Sequence, residues 1–339
     1  MEREQSADIA AHDPGVEVGA QRAATVEATP KPIRVAGGGE IRVGTASWTD
    51  PTMTAAGVFY PPAANTAEER LRFYASQFPQ VEVDASYYAI PAAETAELWV
   101  ERTPAEFAFD VKAHALMTGQ PSEVKRLPKA IRESLPEELS AKPRIYGKDL
   151  PAELYDEIWS SFRRGVEPLR ESGKLGAVFL QFPRWVFPSN ENRELILDAR
   201  RRLGVEVAAE FRNASWFNEK NAERTLRFLA DNKVPYVMVD GPQGLKSSIP
   251  PLTAVTSPEL AVIRFHGRRA DLWEKPNIPV VERFRYLYDE DQLADWVPRI
   301  REVAKAAKRT HVLFNNCFGN YGTTNARELA ALLREQLGD

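Results

Sequence analysis

Lys112, Glu210, Arg212, Asp240, Arg264 and His266 are the residues from which a reaction could be assembled. Each stands at the downstream end of a short apolar run, and each is a type that is costly to bury alone. Glu210 and Asp240 are carboxylates suited to take a proton or to orient an attacking water. His266 is suited to carry protons near neutral pH. Arginines such as Arg212 and Arg264 grip a phosphate or carboxylate through two parallel hydrogen bonds. We therefore assign Glu210, His266, Asp240 and Lys112 to catalysis. Arg212, Arg264, Gln181, Asn315, Trp48 and Tyr87 are assigned to ligand binding. Tyr88 and Trp216 are further candidates for flat walls against a sugar or base.

These residues acquire meaning from the elements that carry them. Apolar runs of strand length recur at Ile41–Ala46, Val81–Ala85, Phe107–Lys112, Ala177–Phe182, Val205–Phe211, Tyr236–Asp240, Ala261–His266 and His311–Asn315. Between them lie amphipathic, helix-like stretches, among them 66–78, 92–102, 191–203, 222–232 and 293–308. Alternation of strand and helix implies parallel strands with right-handed crossovers. Eight such units predict an α/β fold, a single (β/α)8 TIM-type barrel over 41–339. An open doubly wound sheet would carry a glycine-rich phosphate turn after the first strand, and Gly44-Thr45-Ala46-Ser47-Trp48 is not one.

Side chains alternate between strand faces. Phe107, Phe109 and Val111 oppose Asp110, Lys112 and His114; Val205, Val207, Ala209 and Phe211 oppose Glu206, Glu210 and Arg212; Ile263 and Phe265 oppose Arg264 and His266. The apolar set must pack under helices, so the polar set is expected inside the barrel. Arg42, Glu82, Glu206 and His311 open their strands and are expected to pair structurally. The strand-end set falls at the mouth where barrel enzymes place their chemistry. Segments 118–153 and 246–257 are rich in Pro and polar residues and are expected to be loops shaping that mouth.

The chain of 339 residues is 43% hydrophobic and 27% charged, with a formal net charge of −4, so it lacks the basic excess of a strong non-specific nucleic-acid binder. Residues 1–40 hold seven acids and four Lys/Arg, no aromatic, and a closing glycine run, and are read as a disordered tail of net charge −3. Cys317 is the only cysteine, which excludes an intrachain disulfide and fits the cytoplasm. At the end of a strand it is expected to be a small buried hydrophobe. No uninterrupted apolar run of about 18 residues occurs, so no membrane partner is expected. The sequence assigns neither cofactor nor oligomeric state. Asp84, Glu210, Asp240 and His266 could be drawn together around a metal, but neighbouring cations favour ion pairing, and no metal is assigned.

From Ile41 onward the chain resembles the domain of unknown function 72 family, also called YecE-like. The resemblance rests on Gly44–Trp48, Phe59-Tyr60-Pro61-Pro62, Val81–Tyr88, Phe109–Ala113, Leu180–Pro183, Glu210–Trp216, Val239–Pro242, Arg264–Arg268 and Phe314-Asn315-Asn316. The family usually reads Gly-Thr-Ser-Gly-Trp where this chain has Ala46 and Ser47, and Asn and Thr at Asp84 and Ser86. The resemblance implies a TIM barrel and no assigned activity. With the strand-end residues, the leading expectation is a hydrolase or lyase on a phosphate- or carboxylate-bearing substrate, its partner a small anionic ligand or a nucleic-acid component. A non-catalytic nucleic-acid-binding barrel is the first alternative, motivated by Arg264, Arg268 and Arg269. A glycosidase pairing Glu210 with Asp240 or Asp84 is the second.

Overall fold

The computed structural model describes residues 2–337. Eight parallel strands follow one another in chain order: β1 (Glu40–Thr45), β2 (Gln80–Val83), β3 (Ala108–Lys112), β4 (Leu175–Phe182), β5 (Val207–Phe211), β6 (Val237–Asp240), β7 (Leu260–Phe265) and β8 (Arg309–Phe314). The ladder runs β5-β4-β3-β2-β1-β8-β7-β6. Every consecutive pair of strands except β5 and β6 is thus adjacent in the sheet, and β8 pairs with β1, which is the order of a nearly closed (β/α)8 barrel. A two-residue strand, Ile33–Arg34, adds antiparallel to β1. By contact density the chain divides into a first unit of residues 1–82 and 226–339 and a second of 83–225.

In the first unit, the register pairs Val262 with His311, which pairs with Arg42, and Arg264 with Leu313, which pairs with Gly44. These side chains share one face. Ile263 and Phe265 share the other with Val312 and Phe314, and Phe265 stacks on Phe314 at 4.6 Å. Gly44 is required where it stands, because a Cβ there would lie 2.3 Å from the Gln80 carbonyl. The helix Ala67–Gln77 begins at Thr66, whose hydroxyl and Glu69 carboxylate cap one another's backbone N–H groups. Gln80 seals the upstream end of the polar face, donating to the carbonyls of Arg42 and Val312.

Composition reads residues 1–40 as tail, yet the structure forms helices at Glu2–Ala11 and Pro14–Ala23. The second of these docks on the helix Tyr321–Leu337. Arg22 forks onto Glu328 at 2.7 Å, and Asp13 caps its own helix while accepting from Tyr321 and Arg285. Val16 and Ala10 pack with Val58, Phe318 and Tyr321. The apolar content of this segment is low because its partner surface is far away in sequence, and composition cannot register that.

The second unit has β3, β4 and β5 side by side, with Lys112 beside Phe179 and Gln181 beside Glu210. Between Phe109 and Val111 the β3–β4 register shifts, and the Asp110 carboxylate accepts the Ala177 N–H at 3.0 Å. The long helix Ala152–Glu171 buries Ile158, Trp159, Phe162, Val166 and Leu169 at three- and four-residue spacing. Segment 118–153 holds short helices, Lys129–Glu133 and Glu137–Ser140, and a small antiparallel pair, Ser122–Glu123 with Arg144–Ile145. No helix among the described residues is long and apolar enough to cross a membrane.

Candidate functional site

The strand ends of the second unit form two linked ion pairs. Glu210, on β5, is fully buried; its Oε1 accepts from Gln181 Nε2 at 2.7 Å and lies 2.7 Å from Arg212 Nε. Gln181 and Glu210 are register partners, so the parallel ladder itself places the amide against the carboxylate. Lys112, at the end of β3, donates to Asp84 Oδ1 at 2.8 Å and lies 4.8 Å from the centre of the Tyr87 ring. Burial pushes the Tyr87 phenol up to about 12, so at neutral pH it remains a donor, and it donates to Gln120 Oε1 at 2.9 Å. Gln120 also donates to the Gln181 carbonyl at 3.0 Å, tying the two pairs together. The cations keep an open edge: the Lys112 side chain is 12% exposed and that of Arg212 17%.

His114 continues the polar face of β3 and is buried, its Nε2 3.3 Å from Ser122 Oγ. Loss of hydration lowers its pKa to about 4, so it is a neutral imidazole at pH 7. Trp216 is core: its ring packs 4.3 Å from Phe211 and its indole donates to the Val186 carbonyl.

In the first unit Arg264 and His266 share a face, as alternation predicts, and Asn315 meets His266 there. Asn315 Nδ2 and His266 Nδ1 are 2.9 Å apart, and the His266 backbone N–H donates to the Asp240 carbonyl. Arg264 forks onto Glu82 with separations of 2.8 and 3.0 Å, both side chains essentially without solvent contact. Asp240 lies elsewhere. It is the register partner of Phe265, so its side chain belongs to the apolar face and points among the helices. There it accepts from Arg268 Nε and Nη2, from the Tyr288 hydroxyl and from Trp296 Nε1, all at 2.7–2.9 Å. A carboxylate holding four donors is an anchor for the loop after β7. The Tyr288 phenol, buried beside it, is held well above its usual pKa.

Trp48 is buried, with its carbonyl accepting from Tyr60 at 2.5 Å. The run Arg264, Arg268, Arg269 sends its guanidiniums to Glu82, Asp240 and Asp271 in turn. Cys317 is half-buried, not enclosed as its strand-end position suggests, because it lies just beyond β8 in the segment leading to the last helix. Among the described residues no three His, Cys, Asp or Glu side chains converge to hold a metal.

Comparison with known proteins now decides the family. The model described as "Protein of unknown function DUF72" matches residues 42–339. The chain belongs to the DUF72 family. It is 32% identical over 298 residues to the UPF0759 protein YunF of Bacillus subtilis, covering 86% of this chain and 94% of that one. The crystal structure of a DUF72 family protein from Enterococcus faecalis is similar with a TM-score of 0.68 and 28% identity, over 87% of this chain and 95% of that one. Another, from Thermotoga maritima, gives a TM-score of 0.66 and 27% identity, over 88% and 99%. DUF72 membership accords with the α/β barrel.

Sequence reasoning missed Gln120, Tyr288 and Trp296. Each reaches the strand ends from a loop or helix start, where no period of two or of 3.6 signals side-chain direction. The polar type of Gln120 within a Pro-rich loop is the one visible sign.

Proposed function

We propose that the strand ends of β3, β4 and β5 bind the anionic group of a phosphate- or carboxylate-bearing substrate, and that the protein is a hydrolase or lyase acting on it in the cytoplasm. The supporting observation is the asymmetry of the first pair, in which Glu210 is sealed while Arg212 keeps an accessible edge, together with the partial exposure of both members of the linked Lys112–Asp84 pair. A small anion approaching those edges meets a guanidinium and an ammonium carried two strands apart, about 10 Å between backbones. Lys112, at the open edge, is the group suited to exchange a proton with the substrate, and Glu210, fixed by Gln181, orients Arg212. Asp240 takes no chemical role, because its acceptor positions are occupied.

The test is turnover of wild type, Lys112→Met and Glu210→Gln against a panel of phosphoesters and hydroxy- or amino-acid lyase substrates. Lys112→Met should reduce kcat by at least about a hundredfold, the usual contribution of a positioned proton-transfer group. Turnover that survives both substitutions would remove these two residues from the mechanism.

A further inference from the structure

Among the described residues the strongly exposed large aromatics are Tyr88, Tyr146, Trp185 and Phe187, and all belong to the second unit. They follow the downstream ends of β2, β3 and β4. Tyr88 and Tyr146 already carry cations, Arg126 at 5.4 Å and Lys148 at 5.7 Å from their ring centres. Trp185 and Phe187, 48% and 58% exposed, have no ring or cation partner among the described residues.

Their exposure is not a consequence of slack. Trp216 donates to the Val186 carbonyl at 2.8 Å, Asn192 to that of Phe187 at 2.8 Å, and Asn213 to that of Arg184. The Trp185 indole N–H is itself held by the Gly119 carbonyl at 3.2 Å. A loop pinned by side chains from below, with its two largest rings in water, has already met the ordering cost that binding otherwise incurs. The pin also locates it. Gly119 precedes Gln120, which hydrogen-bonds both Tyr87, the ring beneath Lys112, and the carbonyl of Gln181, the partner of Glu210. Arg184, exposed beside Trp185, extends the positive edge outward.

The geometry points to a ring-stacking subsite on Trp185 and Phe187 at the rim of the anion site, so that the ligand is an anion carrying a flat ring: the chemistry of a nucleoside monophosphate or an aryl phosphate. This rests on the anion-binding reading of Lys112 and Arg212. Stacking on an aromatic platform tolerates any base, because each presents a π-face.

Calorimetric titration of the full chain with adenosine monophosphate, phenyl phosphate, ribose phosphate and adenosine tests it. Wild type should bind adenosine monophosphate about tenfold more tightly than ribose phosphate. Trp185→Ala should abolish that gap while leaving ribose phosphate affinity unchanged, and Trp185→Phe should retain most of it. Phenyl phosphate matching the nucleotide would identify an aryl ring as sufficient; a weaker fit would identify the base. Equal affinity for adenosine monophosphate and ribose phosphate overturns the ring subsite and leaves the anion site standing. Adenosine binding that Trp185→Ala removes, with no gain from a phosphate, overturns the anion site and keeps the ring subsite. No binding of any ligand overturns both. A dimer in wild-type sedimentation that Trp185→Ala dissociates, with ligand affinities unchanged, assigns these rings to a second copy and overturns the proposal.

Discussion

Glu82 and Arg264 share two hydrogen bonds and almost no water, whereas Lys112 and Asp84 share one hydrogen bond with side chains 12% and 29% exposed. Both are strand-end pairs of the same chemical kind, one in each unit. What differs is whether solvent can reach them. A sealed pair cannot exchange its partner without leaving a charge uncompensated, so it is confined to holding the fold. An accessible pair can trade its carboxylate for a ligand anion at modest cost. Asp240 extends the contrast. Its four donors and its position among the helices make the first unit's second carboxylate as closed as its first. Charge type at a strand end therefore does not show whether a residue can exchange its partner; accessibility of one edge does.

The sharpest break of this comparison is Glu82→Ala. Removing one partner of a buried pair leaves the other charged, and should lower unfolding free energy by about 3–5 kcal/mol. Replacing both residues by apolar side chains of similar volume should recover most of that loss. Urea denaturation of the single and double variants measures it. A loss below about 1 kcal/mol for Glu82→Ala would place the pair in the accessible class and dissolve the distinction.

His114 is another sealed group of the second unit, and its effect depends on pH. Its pKa is about 4 in the folded chain against 6.5 unperturbed, so the unfolded chain binds the proton more readily. Its contribution is fully present above pH 6.5 and is lost as pH falls through about 4. The loss over that window is on the order of 3 kcal/mol. Denaturation curves at both ends, for wild type and His114→Gln, isolate it: the variant should show a shallower pH slope whatever its absolute stability. An unchanged slope would mean that another group carries the acid sensitivity.

Much of the architecture was legible because period and burial coincide in this chain. β5 alternates, so Glu210 and Arg212 could be placed on one face, whereas β4 is apolar from Ala177 to Leu180 and the pairing of Gln181 with Glu210 is visible only in the register. Arg264 and His266 could be grouped for the same reason. Asp240 was not separable from them. The run Tyr236–Asp240 is apolar at every position before the aspartate, so it shows no alternation from which a face could be read. Trp185 and Phe187 were missed because a loop has no period at all. The docking of Pro14–Ala23 was hidden in the opposite way: its contacts with Tyr321 and Glu328 lie some 300 residues on in sequence, and only tertiary contact reveals them.

The smallest expected effect is the most diagnostic of accessibility. Asp84→Asn removes the charge that holds Lys112 while leaving an isosteric amide in its place. Because the pair is partly solvated, unfolding free energy should fall by no more than about 1 kcal/mol. The same change leaves Lys112 with an unbalanced positive charge at an edge that solvent reaches. Affinity for inorganic phosphate should then rise about three- to tenfold, the binding equivalent of the competition that Asp84 no longer offers. The two readouts move in opposite directions only if Lys112 exchanges partners. Should phosphate affinity fall along with stability, Asp84 would be positioning Lys112 for the anion and not competing with it, and the accessible pair would have to be regarded as one preorganised unit.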